Sequence, residues 1–264
     1  MKYSLTALTL ALGAVLGTPA LATPITYIND TSTDTSCAWY GSNPPCSLQH
    51  ALDYITAGGS SSINVHTDQY GPDQTWQVAG NHGATTILLE LAGYANLNTF
   101  GIYDITDPST QLQLFDGPSG SGDNTTVTFT PMGSNFKVTG GGHTATFATA
   151  NFGFYLARPS SGITWYSQFS RNSDSHSDHM VAFQGTGDTI NLPNGDTTTL
   201  TADKYILAWE DLKIAGGPSD QDFNDFVVLA ENVVGVPEPS SLALWGLSLA
   251  GLGAIARKRA KKRA

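Results

Sequence analysis

Positive charge is scarce in this chain except at its very end. Of 264 residues, 12 are Lys or Arg against 22 Asp or Glu. Between residues 23 and 236 only Lys137, Arg158, Arg171, Lys204 and Lys213 face 21 acidic side chains, a net of about −16. Like-charge repulsion disfavours a nucleic-acid partner, and the natural counterpart is a cation or a basic partner. Cysteine is as scarce: Cys37 and Cys46 are the only two, too few to hold a structural zinc. The sequence also lacks a G-x-S-x-G elbow, a cysteine nucleophile pattern and an H-E-x-x-H helix, and Gly140-Gly141-Gly142 lacks the Lys and helix of a phosphate loop. No long-period repeat is visible, which argues against propellers and solenoids.

The ends carry the hydrophobic runs. Lys2, an apolar stretch from Leu5 to Leu16 and Ala20-Leu21-Ala22 have the layout of a secretory signal peptide over residues 1–22, cut after Ala22. At the other end, Pro237-Glu238-Pro239-Ser240-Ser241 precedes an apolar segment, 242–256, and six basic residues between Arg257 and Arg263. At about 1.5 Å per residue that segment reaches about 22 Å, short of a hydrocarbon core of roughly 30 Å. The flanking serines and long basic side chains must then snorkel, or the bilayer must thin. The basic cluster holds this end in the cytoplasm and leaves everything before Pro237 facing outward. In an exported chain, Cys37 and Cys46 are expected to close the intervening loop as a disulfide, worth roughly 2–3 kcal/mol.

The tail over residues 236–264 resembles the PEP-CTERM sorting signal, with Pro237, Glu238 and Pro239 as the motif, then the transmembrane helix and the basic terminus. The resemblance implies recognition and cleavage near the motif by an exosortase, in Gram-negative bacteria that make extracellular polysaccharide. It predicts a protein first anchored in the membrane and then at the cell surface or outside.

Between the two ends the composition is rich in Gly, Ser, Thr, Asn and Asp, as in secreted β-rich proteins with many turns. Residues 23–84 read as an N-terminal segment whose one helix places Leu48, Ala51, Leu52 and Ile55 on one face, with Ser47 as N-cap and Gly58-Gly59 as the stop. Over 85–232 the pattern shifts to short runs at period two. Strands are predicted at 85–91, 99–105, 111–115, 125–130, 136–138, 144–147, 152–156, 163–169, 179–184, 197–201, 204–210 and 223–230. So many strands without intervening helices predict an all-β fold, a β-sandwich or jelly roll. Residues 226–230 are apolar at every position, as a strand must be when both its faces are covered.

Just ahead of that strand lies the densest acidic segment. Glu210, Asp211, Asp220, Asp222, Asn224 and Asp225 flank a Gly216-Gly217-Pro218 turn that folds them toward each other. Crowded carboxylates raise one another's pKa values unless a cation neutralises them. Calcium fits, since it takes six to eight oxygens in flexible geometry. An EF-hand does not: Asp220, Asp222, Asn224 and Glu231 match loop positions, but Asp225 stands where Gly is needed. Asp174 and Asp178 are candidates to complete the shell, Asp178 the better one, whereas His176 and His179 have no further His or Cys near them to make a zinc site.

Phe152-Gly153-Phe154-Tyr155-Leu156, Asp178-His179, residues 205–211 and residues 220–228 together resemble a family described as domain of unknown function 4114. That resemblance spans roughly residues 85–232. It implies an all-β domain with a suspected calcium role and no known enzymatic activity; Lys213 in the turn is unusual for a cation site. The functional expectation is a calcium-binding structural or adhesive protein. A carbohydrate-binding module for extracellular polysaccharide is the alternative, with Trp76, Tyr103, Tyr155, Trp165, Tyr166 and Trp209 as a source of stacking rings. A glycan-processing enzyme, resting on Glu210 with Asp222, is the remaining class.

Overall fold

The computed structural model describes residues 25–30, 47–79, 97–116 and 122–237, and the backbone alone for 85–93. The signal peptide with Ala22, the Cys37–Cys46 pair, Glu238 and Pro239, and the 242–256 segment lie outside the described residues. Among the described residues no helix is long and apolar enough to cross a membrane.

Helix α1 (Leu48–Ile55) begins where its cap predicts, with Ser47 Oγ accepting the His50 N–H at 3.3 Å. It stops at Ile55, earlier than the Gly58-Gly59 pair, because Thr56 turns extended and its hydroxyl donates back to the Leu52 carbonyl at 2.7 Å. The strands are β1 (Trp76–Val78), β2 (Thr85–Gly93), β3 (Thr99–Asp104), β4 (Asp107–Phe115), β5 (Asn124–Met132), β6 (Asn135–Gly140), β7 (His143–Phe147), β8 (Asn151–Arg158), β9 (Ile163–Tyr166), β10 (Met180–Gln184), β11 (Thr189–Asn191), β12 (Thr197–Thr199), β13 (Lys204–Trp209), β14 (Phe226–Glu231) and β15 (Val233–Gly235).

One sheet runs β15-β1-β8-β3-β4, with β9 paired to β8; the other runs β10-β13-β14-β2-β5-β6-β7, and β11-β12 form a small ribbon. Adjacent strands are antiparallel throughout. Trp76, Phe100, Phe154 and Trp165 of the first sheet meet Phe129, Leu207, Trp209 and Phe226 of the second in one buried core. The fold is therefore all-β, two antiparallel sheets packed as a sandwich.

A second core covers the other side of the seven-stranded sheet. Val181, Ile206, Ala208, Val227 and Leu229 point outward from β10, β13 and β14 and pack under Leu48, Leu52 and Ile55 of α1, with Ile28, Ile63, Val65 and Phe223. This is why residues 226–230 are apolar at every position: Phe226, Val228 and Ala230 face the sheet-to-sheet core, and Val227 and Leu229 face the helix.

The 99–105, 179–184, 197–201 and 204–210 strands are trimmed by one or two residues, and two others lose three at one end. The 163–169 run ends at Tyr166 and turns into a 3-10 helix over Phe169–Arg171. The 223–230 run starts at Phe226, because Phe223 has φ of 56°, a left-handed backbone that a strand cannot contain. Strands β1, β11 and β15, three residues each, lie outside the predicted strands.

Phe154 sits at the centre of the sandwich, its ring 5.7 Å from Trp76 and 5.6 Å from Phe100. Replacing it with Ala leaves a cavity that the surrounding rings cannot fill. A Phe154→Ala chain is expected to lose about 3–5 kcal/mol of stability in denaturant titration.

Candidate metal centre

Register explains how the acidic residues come together. In the β13–β14 ladder Lys204 lies opposite Glu231 and Trp209 opposite Phe226, and in β10–β13 Met180 lies opposite Trp209. One step further, the same registers bring His179, Glu210 and Asp225 into a single rank across the end of the sheet. The bonds agree: the Glu210 N–H donates to the His179 carbonyl at 3.1 Å, and the Asp211 N–H donates to Asp225 Oδ2 at 2.9 Å.

Glu210 is fully buried. Its Oε1 accepts the Leu212 N–H at 3.2 Å, while Oε2 is buried with no hydrogen-bond partner. Two triads of carboxylates converge on it. Ligand atoms of Glu210, Asp211 and Asp225 lie within 4.8 Å of one another, and so do those of Glu210, Asp220 and Asp222.

The loop carrying Asp220 and Asp222 is unusually shaped. Gln221 and Phe223 both have positive φ, 61° and 56°. A left-handed Phe is unfavourable on backbone grounds, and burial of its ring in the second core offsets the cost. The N-terminal segment straps the loop from outside: the Asn29 N–H donates to the Gln221 carbonyl at 2.8 Å, and its side chain donates to the Asp220 carbonyl at 3.0 Å. Asn224 donates its amide to Asp222 Oδ2 at 2.6 Å and its backbone N–H to Oδ1 at 3.2 Å, aligning that carboxylate.

Asp211 faces the other sheet. Asn98 donates to its Oδ2 at 2.8 Å, Arg158 Nη1 lies 3.5 Å from its Oδ1, and Trp165 Nε1 donates to its carbonyl at 2.8 Å. Asn98, Arg158 and Trp165 sit far away in sequence, and no local pattern marks them as neighbours of the acidic segment.

The polar stretch 172–179 contributes differently from expectation. Asp178 lies outside both triads; its Oδ2 accepts the Thr26 hydroxyl at 2.7 Å, tying the N-terminal segment to the edge of the sheet. Asp174 is the residue that touches the acidic turn. Its Oδ2 accepts the N–H groups of Ile214 and Ala215 at 3.0 and 3.2 Å and lies 3.0 Å from His179 Nε2. His179 Nδ1 is 2.9 Å from the Glu210 carbonyl, and its ring stacks on Trp165 with centroids 3.7 Å apart. His176 is exposed and apart from this packing. Lys213 is exposed on the turn. Of the aromatic rings considered for sugar stacking, Trp76, Tyr103, Tyr155, Trp165 and Trp209 are buried and only Tyr166 is partly accessible.

Residues 147–232 match the family described as domain of unknown function (DUF4114). This is the C-terminal part of the 85–232 stretch that carries the resemblance. It contains every carboxylate of both triads and leaves Asn98 outside. No curated protein and no solved structure matches the chain.

The electrostatics follow from burial. Desolvation, with Asp211 and Glu210 adding their charge, pushes Asp225 up to about 9. Burial lifts Glu210 to about 7, and burial with Asp220 alongside lifts Asp222 to about 6. Burial also raises Asp178 to about 6. Asp174 goes the other way: burial opposes its ionisation, but His179 and the two backbone N–H groups outweigh it and hold the carboxyl low. Burial lowers His179.

A carboxyl raised in the fold stabilises it below the unfolded pKa, and that contribution is lost as pH climbs through the folded one. Above pH 7 His179 is neutral in both states and the lowered carboxyls are fully ionised, so Glu210 and Asp225 dominate. In chelator, the melting temperature is expected to fall between pH 7 and 9, read by scanning calorimetry, and Asp225→Asn should flatten the decline.

Proposed function

We propose that this chain is an exported, surface- or matrix-associated β-sandwich protein that binds calcium where β13 ends and β14 begins, with a structural or adhesive role. The observation that carries the reading is Glu210: a fully buried carboxylate whose Oε2 meets no donor in good hydrogen-bond geometry, at the meeting point of four further carboxylates. A buried charge without a partner is costly, and a divalent cation removes the cost. The donors are all oxygen, and spacings up to 4.8 Å match the span across an ion that holds oxygens at about 2.3–2.6 Å.

Such an ion ties the 210–213 corner to the 219–225 loop and stiffens the end of a sheet that both cores depend on. A mechanical role suits it better than turnover, because Glu210 offers no surface on which a glycan could be met. Export, sorting through Pro237-Glu238-Pro239 by an exosortase and membrane attachment through 242–256 rest on the sequence pattern of the two ends. The burial of five of six candidate rings favours the cation-stabilised reading over a carbohydrate-binding face.

Calcium at a hundredfold excess over its dissociation constant is expected to stabilise the fold by about 2.7 kcal/mol and raise the melting temperature accordingly. Asp222→Ala combined with Asp225→Ala should abolish the increase. A melting temperature that ignores both calcium and chelator at neutral pH refutes the reading.

A further inference from the structure

The two triads share Glu210 but do not merge. Ligand atoms of Asp211 and Asp225 do not join those of Asp220 and Asp222 in one group within 4.8 Å, among the described residues. Oxygens on one calcium ion lie up to about 5 Å apart across it, so the carboxylates present themselves as two ligand sets sharing Glu210 rather than as one compact shell. The pairs also differ in setting. Asp220 is exposed and opens the outer triad to solvent, whereas Asp211 is buried against the other sheet.

The inner triad has a sign of its own. Asn98 is buried, its amide nitrogen donates to Asp211 Oδ2 at 2.8 Å, and its Oδ1 has no hydrogen-bond partner. Covalent geometry holds that carbonyl oxygen within about 5 Å of Asp211 Oδ2, since the two polar atoms of one amide are only about 2.3 Å apart. An unsatisfied neutral oxygen at this depth is what a hard cation takes as a ligand. Charge points the same way. With all five carboxylates ionised, as ligation requires, two divalent ions balance them together with the Arg158 guanidinium, whereas one ion leaves two negative charges or a retained proton at the end of a buried sheet.

Building on the calcium reading, we infer that the end of the sheet is a two-cation centre with Glu210 as the shared ligand. The inner ion takes Asp211, Asp225 and Asn98 Oδ1; the outer takes Asp220 and Asp222. Glu210 bridges them, which gives its otherwise orphaned oxygen a function. The inner site lies partly outside the residues 147–232, because Asn98 comes from the segment entering β3.

The test is calcium stoichiometry of the full chain, by isothermal titration into chelator-stripped protein and by elemental analysis after desalting. Two calcium ions per chain are expected. Asn98→Ala with Asp225→Asn should leave one, with the remaining affinity changed by less than about threefold, while Asp220→Ala should remove the outer ion instead. Glu210→Gln should weaken both by about tenfold or more. Circular dichroism of each variant separates loss of a site from loss of the fold, and Asn98→Asp on an otherwise wild-type chain, which keeps an oxygen there, should retain two ions. A wild-type count of one overturns the two-cation centre and leaves the calcium reading standing; a count of zero overturns both.

Discussion

A strand pair covered on both faces cannot shift its register without exposing one core or the other, and the acidic site depends on that constraint. In β13 and β14, residues alternate between the sheet-to-sheet core and the layer under α1. A slip of one residue would exchange Leu207 and Trp209 for Ile206 and Ala208 on every contact. The register is thereby locked, and the residues one step past its last pair are locked with it. Glu210 and Asp225 are neighbours because the apolar residues before and after them leave no other arrangement.

What the strands begin, the loops complete by local chemistry. Asp174 accepts from two consecutive N–H groups of the 212–219 turn, so the turn is held down by a carboxylate that lies against His179, whose ring stacks on Trp165. The 220–225 loop is held by a different device, a buried Phe223 ring and the Asn29 strap. Both devices draw on chain distant in sequence, from residue 29 to residue 179. The acidic rank is therefore the point where the N-terminal segment, both sheets and the 172–179 loop all meet, and neutralising it stabilises contacts well beyond the ligands.

Much of this was legible in the residues. Period-two alternation located twelve strands, and the uninterrupted apolar run at 226–230 correctly announced a strand buried on both faces. The acidic side chains themselves were legible too, since five of the six from 210 to 225 enter a triad and Asn224 aligns Asp222. Residues contributed across the sheets were not. Nothing near Asn98 or Arg158 in the sequence predicts that they meet Asp211, because that contact is created by the packing of β3 and β8 against the end of β13. Asp178 shows the converse: of the two acids expected to complete the shell if strand pairing joined the loops, it accepts from Thr26 and lies outside both triads, while Asp174, four residues earlier, reaches the turn. A left-handed Ser175 and His176 between them reverse the chain locally, and linear spacing carries no sign of that reversal.

The preference for calcium over magnesium in the proposed centre rests on the same burial. Magnesium holds oxygens at about 2.0–2.1 Å in near-ideal octahedral geometry and usually keeps several waters. Glu210, Asp211 and Asp222 leave almost no surface to solvent, so on the buried side there is little room for a retained hydration shell, and only exposed Asp220 faces water. A cation bound here would meet oxygens from a strand end and a strained loop, at angles set by packing rather than by an octahedron. Calcium tolerates such irregularity, accepts more ligands and sheds water more readily, which is why calcium rather than magnesium is the ion proposed for this sheet end.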